Sequence, residues 1–394
     1  MHFSELTTLD DLAKIYPQHI LERFPIAGKG PFNDMDDQQW NSWTWQQKAR
    51  LTNLEGLAKV IDLTDEITND FNDCDQLFNM AITPYYANLM DRSDPNCPIR
   101  LQGIPKKEEL TVLDTDMEDP LAEERDMPVP GVTHRYPDRV LFYITHNCPV
   151  YCRHCTRKRK VADPTTTAAS KQIDVGLEYI SSNPQIRDVI ISGGDPLSLN
   201  NKRLDYILGR LRQIPHIEVI RLGTRNLVTL PQRIDDEFLT VLQKHQPIHI
   251  NTHFNHPKEM TRETLFAASK IAHSGATMGN QTVLLKGVND DPAVMKELCH
   301  KLLLMRIRPY YIFQCDQSKG ISHFRTPIQT GIKIIESLRG HTSGLAVPHY
   351  VIDAPGGGGK IPISPEYIVD EQEDKVVLRN FQREQYTYYL PKKD

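Results

Sequence analysis

The sequence predicts an α/β fold arranged as a (β/α) barrel, or part of one. Three observations predict it. From about residue 139, short β-branched and aromatic runs alternate with amphipathic helical stretches, the pattern of parallel strands joined by crossover helices. Six or seven such units follow one another, which suits a barrel better than a doubly wound sheet. Polar and glycine residues gather just after the strand runs, on the rim where (β/α) barrels carry their active sites.

The strand candidates come in order. They are "VLFYIT" (140–145), "DVIISG" (188–193), "EVIRLGT" (218–224), "IHINTHF" (248–254), "TMGNQTVLL" (277–285), "IRPYYIFQ" (307–314) and "LAVPHYVID" (345–353). Each is rich in residues that fit a pleated, half-buried backbone. "DYILGRLRQI" and "AVMKELCHKLLLM" are helical candidates between them. Upstream, "DDQQWNSWTWQQKARL" sets Trp40, Trp43 and Leu51 near helical spacing, with Asp36 or Asp37 as cap. Residues 93–135 are rich in Pro and Asp and read as an extended connection. The expected organisation is a loosely organised lead-in (1–35), a helical region with that connection (36–135), a barrel core (136–362) and a C-terminal extension (363–394).

Bulk properties narrow the function. The chain has 394 residues, 39% of them hydrophobic and 25% charged, as in ordinary globular proteins. A net charge of −5 provides no general attraction for nucleic acid. The N-terminus lacks the apolar segment of a secretory leader, and no run approaches the roughly 20 apolar residues of a membrane span. Seven cysteines, three of them clustered, argue against a disulfide framework. A reducing cytoplasm is therefore expected.

The cluster lies in "HNCPVYCRHCTRKRK" (146–160), where Cys148, Cys152 and Cys155 form C-x3-C-x2-C directly after the first strand. A structural zinc site usually needs four ligands, and the second pair is missing, with His154 the nearest candidate. Three thiolates also suit a [4Fe–4S] cluster with one iron open to another ligand. Cys74, Cys97, Cys299 and Cys315 are scattered and read as small buried hydrophobes. "SGGDPL" (192–197) ends the second strand, and its glycines let a ligand approach the backbone. "DAPGGGGKIP" (353–362) fails the phosphate-loop template, because Ala354 replaces the first glycine and Ile361 follows Lys360. Four glycines before a lysine instead deliver a mobile amine, the anchor type of pyridoxal phosphate (PLP).

With "HRYPDRV", "NTHFNHP", "GNQTVLLKGVND", "RPYYIFQCD" and "SLRGHTSG", these segments make the chain resemble the lysine 2,3-aminomutase family from about residue 32 to about 382. The resemblance implies a radical S-adenosylmethionine (SAM) partial (β/α) barrel with an N-terminal helical region and a short C-terminal extension. It implies an isomerase that interconverts L-lysine and L-β-lysine by a 1,2-amino shift, driven by a 5′-deoxyadenosyl radical on a PLP-bound substrate.

By the same resemblance, Cys148, Cys152 and Cys155 hold the [4Fe–4S] cluster, whose open iron chelates SAM. Ser192, Gly193, Gly194 and Asp195 meet SAM, with His154, His253 and Gln281 around it. Lys360 anchors PLP, helped by Arg135, Tyr136 and Arg139. Arg157 pairs with the substrate carboxylate, while Lys158, Arg159 and Lys160 read as a solvated face. Asp316 and Asp353 receive the substrate's distal ammonium; glutamate-acting relatives differ there. A small amino-acid substrate, an electron donor such as a flavodoxin or ferredoxin, and a homo-oligomer are also implied, with no nucleic acid and no membrane. No cysteine follows Cys315, so the C-terminal structural zinc of clostridial-type relatives is not expected. Competing readings are the same shift on arginine or on a protein lysine, and a zinc- or cluster-bearing nucleic-acid-binding protein. The last is disfavoured by the acidic balance and the missing aromatic–basic pattern.

Overall fold

The computed structural model describes residues 2–75, 79–161 and 170–391. Seven of its strands match the sequence runs closely. They are β2 (Arg139–Thr145), β3 (Asp188–Gly193), β4 (Val219–Gly223), β5 (Ile248–Thr252), β6 (Thr277–Leu284), β7 (Arg308–Gln314) and β8 (His349–Ala354). Each pairs in parallel with the next. Two antiparallel strands flank them, β1 (Val132–Tyr136) beside β2 and β9 (Gly359–Pro362) beside β8. The nine strands follow sequence order, and among the described residues β1 and β9 do not pair. The sheet is thus an open arc, a partial (β/α) barrel.

Crossover helices cover the outside of the arc. Helix Asn201–Arg212 buries Leu204, Ile207, Leu208 and Leu211, spaced three and four apart. Helix Asp236–Lys244 buries Phe238, Leu239, Val241 and Leu242. Both close on the sheet's own Val189, Ile191, Ile220 and Leu222 in one hydrophobic core. No helix is long and apolar enough to cross a membrane among the described residues.

The N-terminal region differs from expectation in two ways. The Trp40–Leu51 segment forms two short helices, Asp37–Trp40 and Trp43–Lys48. Each has its own cap: Asp36 accepts from the Gln39 N–H at 2.7 Å, and Ser42 from that of Trp45 at 3.3 Å. The lead-in is packed rather than loose, since Phe3, Leu12, Tyr16, Leu21 and Phe24 join the main core. At the other end, β10 (Ile368–Glu371), β11 (Lys375–Arg379) and β12 (Gln385–Tyr389) form a separate antiparallel sheet.

The basic run after the cysteines is not a solvated face. The Lys158 side chain is only 8% exposed and reaches Glu109 at 2.6 Å. Arg153, itself buried, holds the same carboxylate at 2.9 and 2.5 Å. Arg159 pairs with Asp119 and Glu124, and Lys160 with Glu124. The acidic residues 109–124 thus tie the cysteine loop to the preceding segment. Glu109→Gln leaves two buried cations without their anion. The expected loss of stability is about 3–5 kcal/mol, read from urea unfolding. A loss below about 1 kcal/mol, the range of a surface pair, would contradict this.

Candidate active site

The rim at the C-terminal ends of the strands opens into a cavity of about 640 Å³. Every residue that the resemblance assigns to a cofactor or the substrate lines it. Cys148, Cys152 and Cys155 lie on the loop after β2, and Ser192, Gly193, Gly194 and Asp195 at the end of β3. His253 follows β5, Gln281 lies on β6, Asp316 follows β7, and Asp353 and Lys360 face one another across β8 and β9.

The three thiols are free and partly exposed. Burial pushes the Cys148 and Cys155 thiols upward, an effect that a bound metal would reverse. Cys152 Sγ accepts a hydrogen bond from Arg225 Nη1 at 2.8 Å. His154, buried beside them, is held neutral first by desolvation and then by Arg225. Its Nε2 meets the Asn255 amide at 3.4 Å, and its Nδ1 is buried with no partner among the described residues. His253 is pushed down to about 4 by burial and then by Arg225, and its Nδ1 meets the Gln281 carbonyl at 3.0 Å.

Glycine is required at the end of β3. Gly193 has φ of +125°, and a Cβ there would lie 2.1 Å from the Thr145 carbonyl oxygen. Asp195 turns its carboxylate inward, accepting from the Thr224 hydroxyl and the Arg225 N–H at 2.7 Å and from the Leu197 N–H at 3.0 Å. It therefore braces the loops after β3 and β4.

These features fit an iron–sulfur cluster with a ligand on its open iron. The donor set is three thiols, an unpartnered imidazole nitrogen lies beside them, and glycine backbone borders the same space. Among the described residues, no three His, Cys, Asp or Glu side chains come close enough to hold a single metal ion. A cluster takes one thiolate at each of several corners and does not need that convergence.

Across the cavity, Lys360 Nζ pairs with Asp353 at 2.8 and 3.1 Å and lies over the Phe313 ring at 4.9 Å. The glycines do not make a free-swinging arm. Gly356, Gly357 and Gly359 take positive φ in the turn between β8 and β9, which fixes Lys360 opposite Asp353. The Tyr136 hydroxyl accepts from the Lys360 N–H at 3.1 Å, and Arg139 stacks on the Tyr136 ring at 3.9 Å while pairing with Asp138. Arg135 donates to Asp126 at 2.9 Å and to the Leu121 carbonyl. An amine, a phenol and two guanidinium groups on one wall suit an anionic aldehyde cofactor such as PLP. Asp316 is raised to about 7, first by burial and then by Asp353.

Two residues escaped the sequence reading. Arg225 is buried and also donates to Glu259 and Gln102 at 2.7 Å. Its signal was position, directly after a strand. Glu123 pairs with Arg157 at 2.6 Å, from a stretch that reads as plain connection.

The family description "Lysine-2,3-aminomutase" matches residues 335–394, and "4Fe-4S single cluster domain" matches residues 133–270. An L-lysine 2,3-aminomutase of Clostridium subterminale is 51% identical across 91% of this chain and 86% of its own length. The chain belongs to the lysine 2,3-aminomutase family. A second L-lysine 2,3-aminomutase of the family, from Fusobacterium nucleatum, is 52% identical over 91% of this chain and 85% of its own. A glutamate 2,3-aminomutase of Clostridioides difficile is 44% identical over 88% and 82%. Aminomutases are isomerases that move an amino group within one molecule.

Replacing any one of Cys148, Cys152 or Cys155 with Ala should abolish binding of about four irons per chain, measured by iron assay after anaerobic reconstitution. A triple variant that keeps its full iron content would contradict the assignment.

Proposed function

We propose that this chain is an L-lysine 2,3-aminomutase, interconverting L-lysine and L-β-lysine. One observation carries the reading: a single cavity is lined by three thiols, an amine on Lys360, the Arg157 guanidinium, and the carboxylates of Asp316 and Asp353. Those groups match the needs of two cofactors and of a substrate with a carboxylate at one end and a cation at the other.

Cys148, Cys152 and Cys155 would hold the [4Fe–4S] cluster, with Ser192, Gly193, Gly194, His154, His253 and Gln281 around SAM. Lys360 would anchor PLP, with Arg135, Tyr136 and Arg139 beside it. When bound, the cluster and SAM supply hydrogen-atom abstraction, and PLP holds the migrating nitrogen. The chain's own residues bind and orient. Arg157 presents a planar donor to the α-carboxylate. Asp316 and Asp353 set the reach of the side chain and favour a cation there. A glutamate side chain would place a third negative charge against them, which supports lysine over glutamate. Ile190, Val283 and Phe313 add apolar walls to the same cavity.

The charge on Asp316 sets a pH dependence. Its carboxyl is raised to about 7, so it is largely neutral below that value and charged above it. Only the charged form attracts an ammonium. Affinity for lysine, measured by calorimetry on reconstituted enzyme without reductant, should rise as pH passes upward through about 7. Asp316→Asn should flatten that rise.

Activity provides the direct test: anaerobic incubation with reductant, SAM, PLP and lysine, arginine or glutamate, with β-lysine as the expected product. Removing one partner of a buried charge pair costs about 2–5 kcal/mol, so Asp316→Asn or Asp353→Asn should lower kcat/KM for lysine roughly thirty- to several-thousandfold. Lys360→Ala should lose PLP that borohydride can fix while retaining iron. Fixation of PLP on another lysine, or unchanged preference for lysine in the Asp variants, would overturn these roles.

A further inference from the structure

Arg157 is held on three sides. Its Nε donates to both Glu123 oxygens at 3.2 and 3.0 Å, and its Nη2 donates to Oε1 at 2.6 Å. Its Nη1 donates to the Gly193 carbonyl at 3.1 Å. Its guanidinium carbon lies 4.9 Å from the centroid of the Tyr143 ring. A guanidinium has five N–H donors, and these bonds engage one on each nitrogen. One donor therefore remains on each terminal nitrogen. Arg157 lines the cavity and keeps 19% of its side-chain surface exposed.

Glu123 is itself fixed. Its side chain is 5% exposed. Its backbone carbonyl accepts from the Thr133 hydroxyl on β1 at 3.2 Å. Nearby, the Gly356 N–H donates to the Pro120 carbonyl at 2.8 Å, and Arg125 donates to the Gly356 carbonyl at 2.9 Å. Burial opposes charge on Glu123, but Arg157 outweighs it, and the carboxyl sits at about 2.

We propose that Glu123 is a positioning residue for substrate recognition: it clamps the Nε edge of Arg157 so that the two remaining terminal N–H groups face the substrate's α-carboxylate. This rests on the reading of Arg157 as the carboxylate partner. The geometry separates clamping from competition. A Glu123 that blocked the substrate would occupy the remaining hydrogens of both terminal nitrogens, where a second carboxylate binds end-on. Glu123 instead takes the side edge, and Gly193 takes one terminal hydrogen. A free arginine has many rotamers, and fixing one in advance removes that ordering penalty from substrate binding. The Gly193 bond also ties Arg157 to the glycine segment at the end of β3. A carboxylate docked on Arg157 is thereby registered to the backbone that borders the thiols.

The test compares lysine with lysinamide, which keeps both amino groups and lacks the carboxylate. Binding of each is measured by calorimetry to the reconstituted enzyme without reductant, so that turnover does not enter. Arg157→Gln should weaken lysine and leave lysinamide unchanged; equal effects on both would overturn the reading of Arg157 itself. Glu123→Gln, close in shape, should weaken lysine by roughly ten- to a hundredfold with lysinamide unchanged, as expected for losing charge-assisted hydrogen bonds. In the Arg157→Gln background, Glu123→Gln should add nothing further, because its whole effect passes through Arg157. That double variant removes both members of the ion pair together, so it keeps the comparison open if the single variant folds poorly. If Arg157→Gln discriminates between the two ligands and Glu123→Gln does not, the clamp is wrong. Tighter lysine binding in Glu123→Gln would also overturn it, by making Glu123 a competitor.

Discussion

Parallel pairing in sequence order obliges strands β2 to β8 to end on the same rim. Each crossover helix returns the chain to the opposite edge before the next strand begins. Residues far apart in sequence, such as Cys148 and Asp353, therefore reach one cavity with no special local device. The rest of the site depends on that constraint. The hydrophobic core behind the sheet holds the strand ends at fixed spacing, so the loops need only supply the chemistry.

Charge is managed by pairing across segments. The acidic stretch between Glu109 and Asp126 partners basic residues of the cysteine loop and of β1. Removing such groups from water is unfavourable unless each finds its counter-ion and hydrogen bonds. The arrangement leaves the cavity with a defined polarity. Arg157 stands near the thiols, bonded to Gly193, whereas Asp316 and Asp353 lie toward Lys360. Asp316 remains poorly compensated, and that accounts for its raised carboxyl.

Much of this was legible in the sequence, and the reasons are local. The seven parallel strands are dense in Val, Ile and aromatic residues because one face packs under the crossover helices while the other lines the cavity. The thiols, the glycine pair and Lys360 stood out because their spacing or composition is unusual. Other features left no such trace. Strand β1, "VTHRY", is polar along half its length, and β9 has only four residues, "GKIP". The sheet β10–β12 is exposed or only half-buried, so it carries no alternation of burial to read. Glu123 and Glu109 are ordinary acids in an acidic stretch. Only tertiary packing distinguishes them from solvated neighbours, and it likewise draws the Lys158 side chain inward onto Glu109.

The arc stops one strand short of a full parallel barrel. An eight-stranded barrel of this kind fills its interior with layers of its own side chains and has no room to spare. Among the described residues no eighth parallel strand is present, and β9 runs back along β8 instead. The inner face becomes a floor rather than a plug. The reversed strand brings Lys360 to the seam where a barrel would have sealed. The room in the cavity is then a property of topology: the omitted strand makes it, and the hairpin that replaces that strand furnishes the amine at its edge.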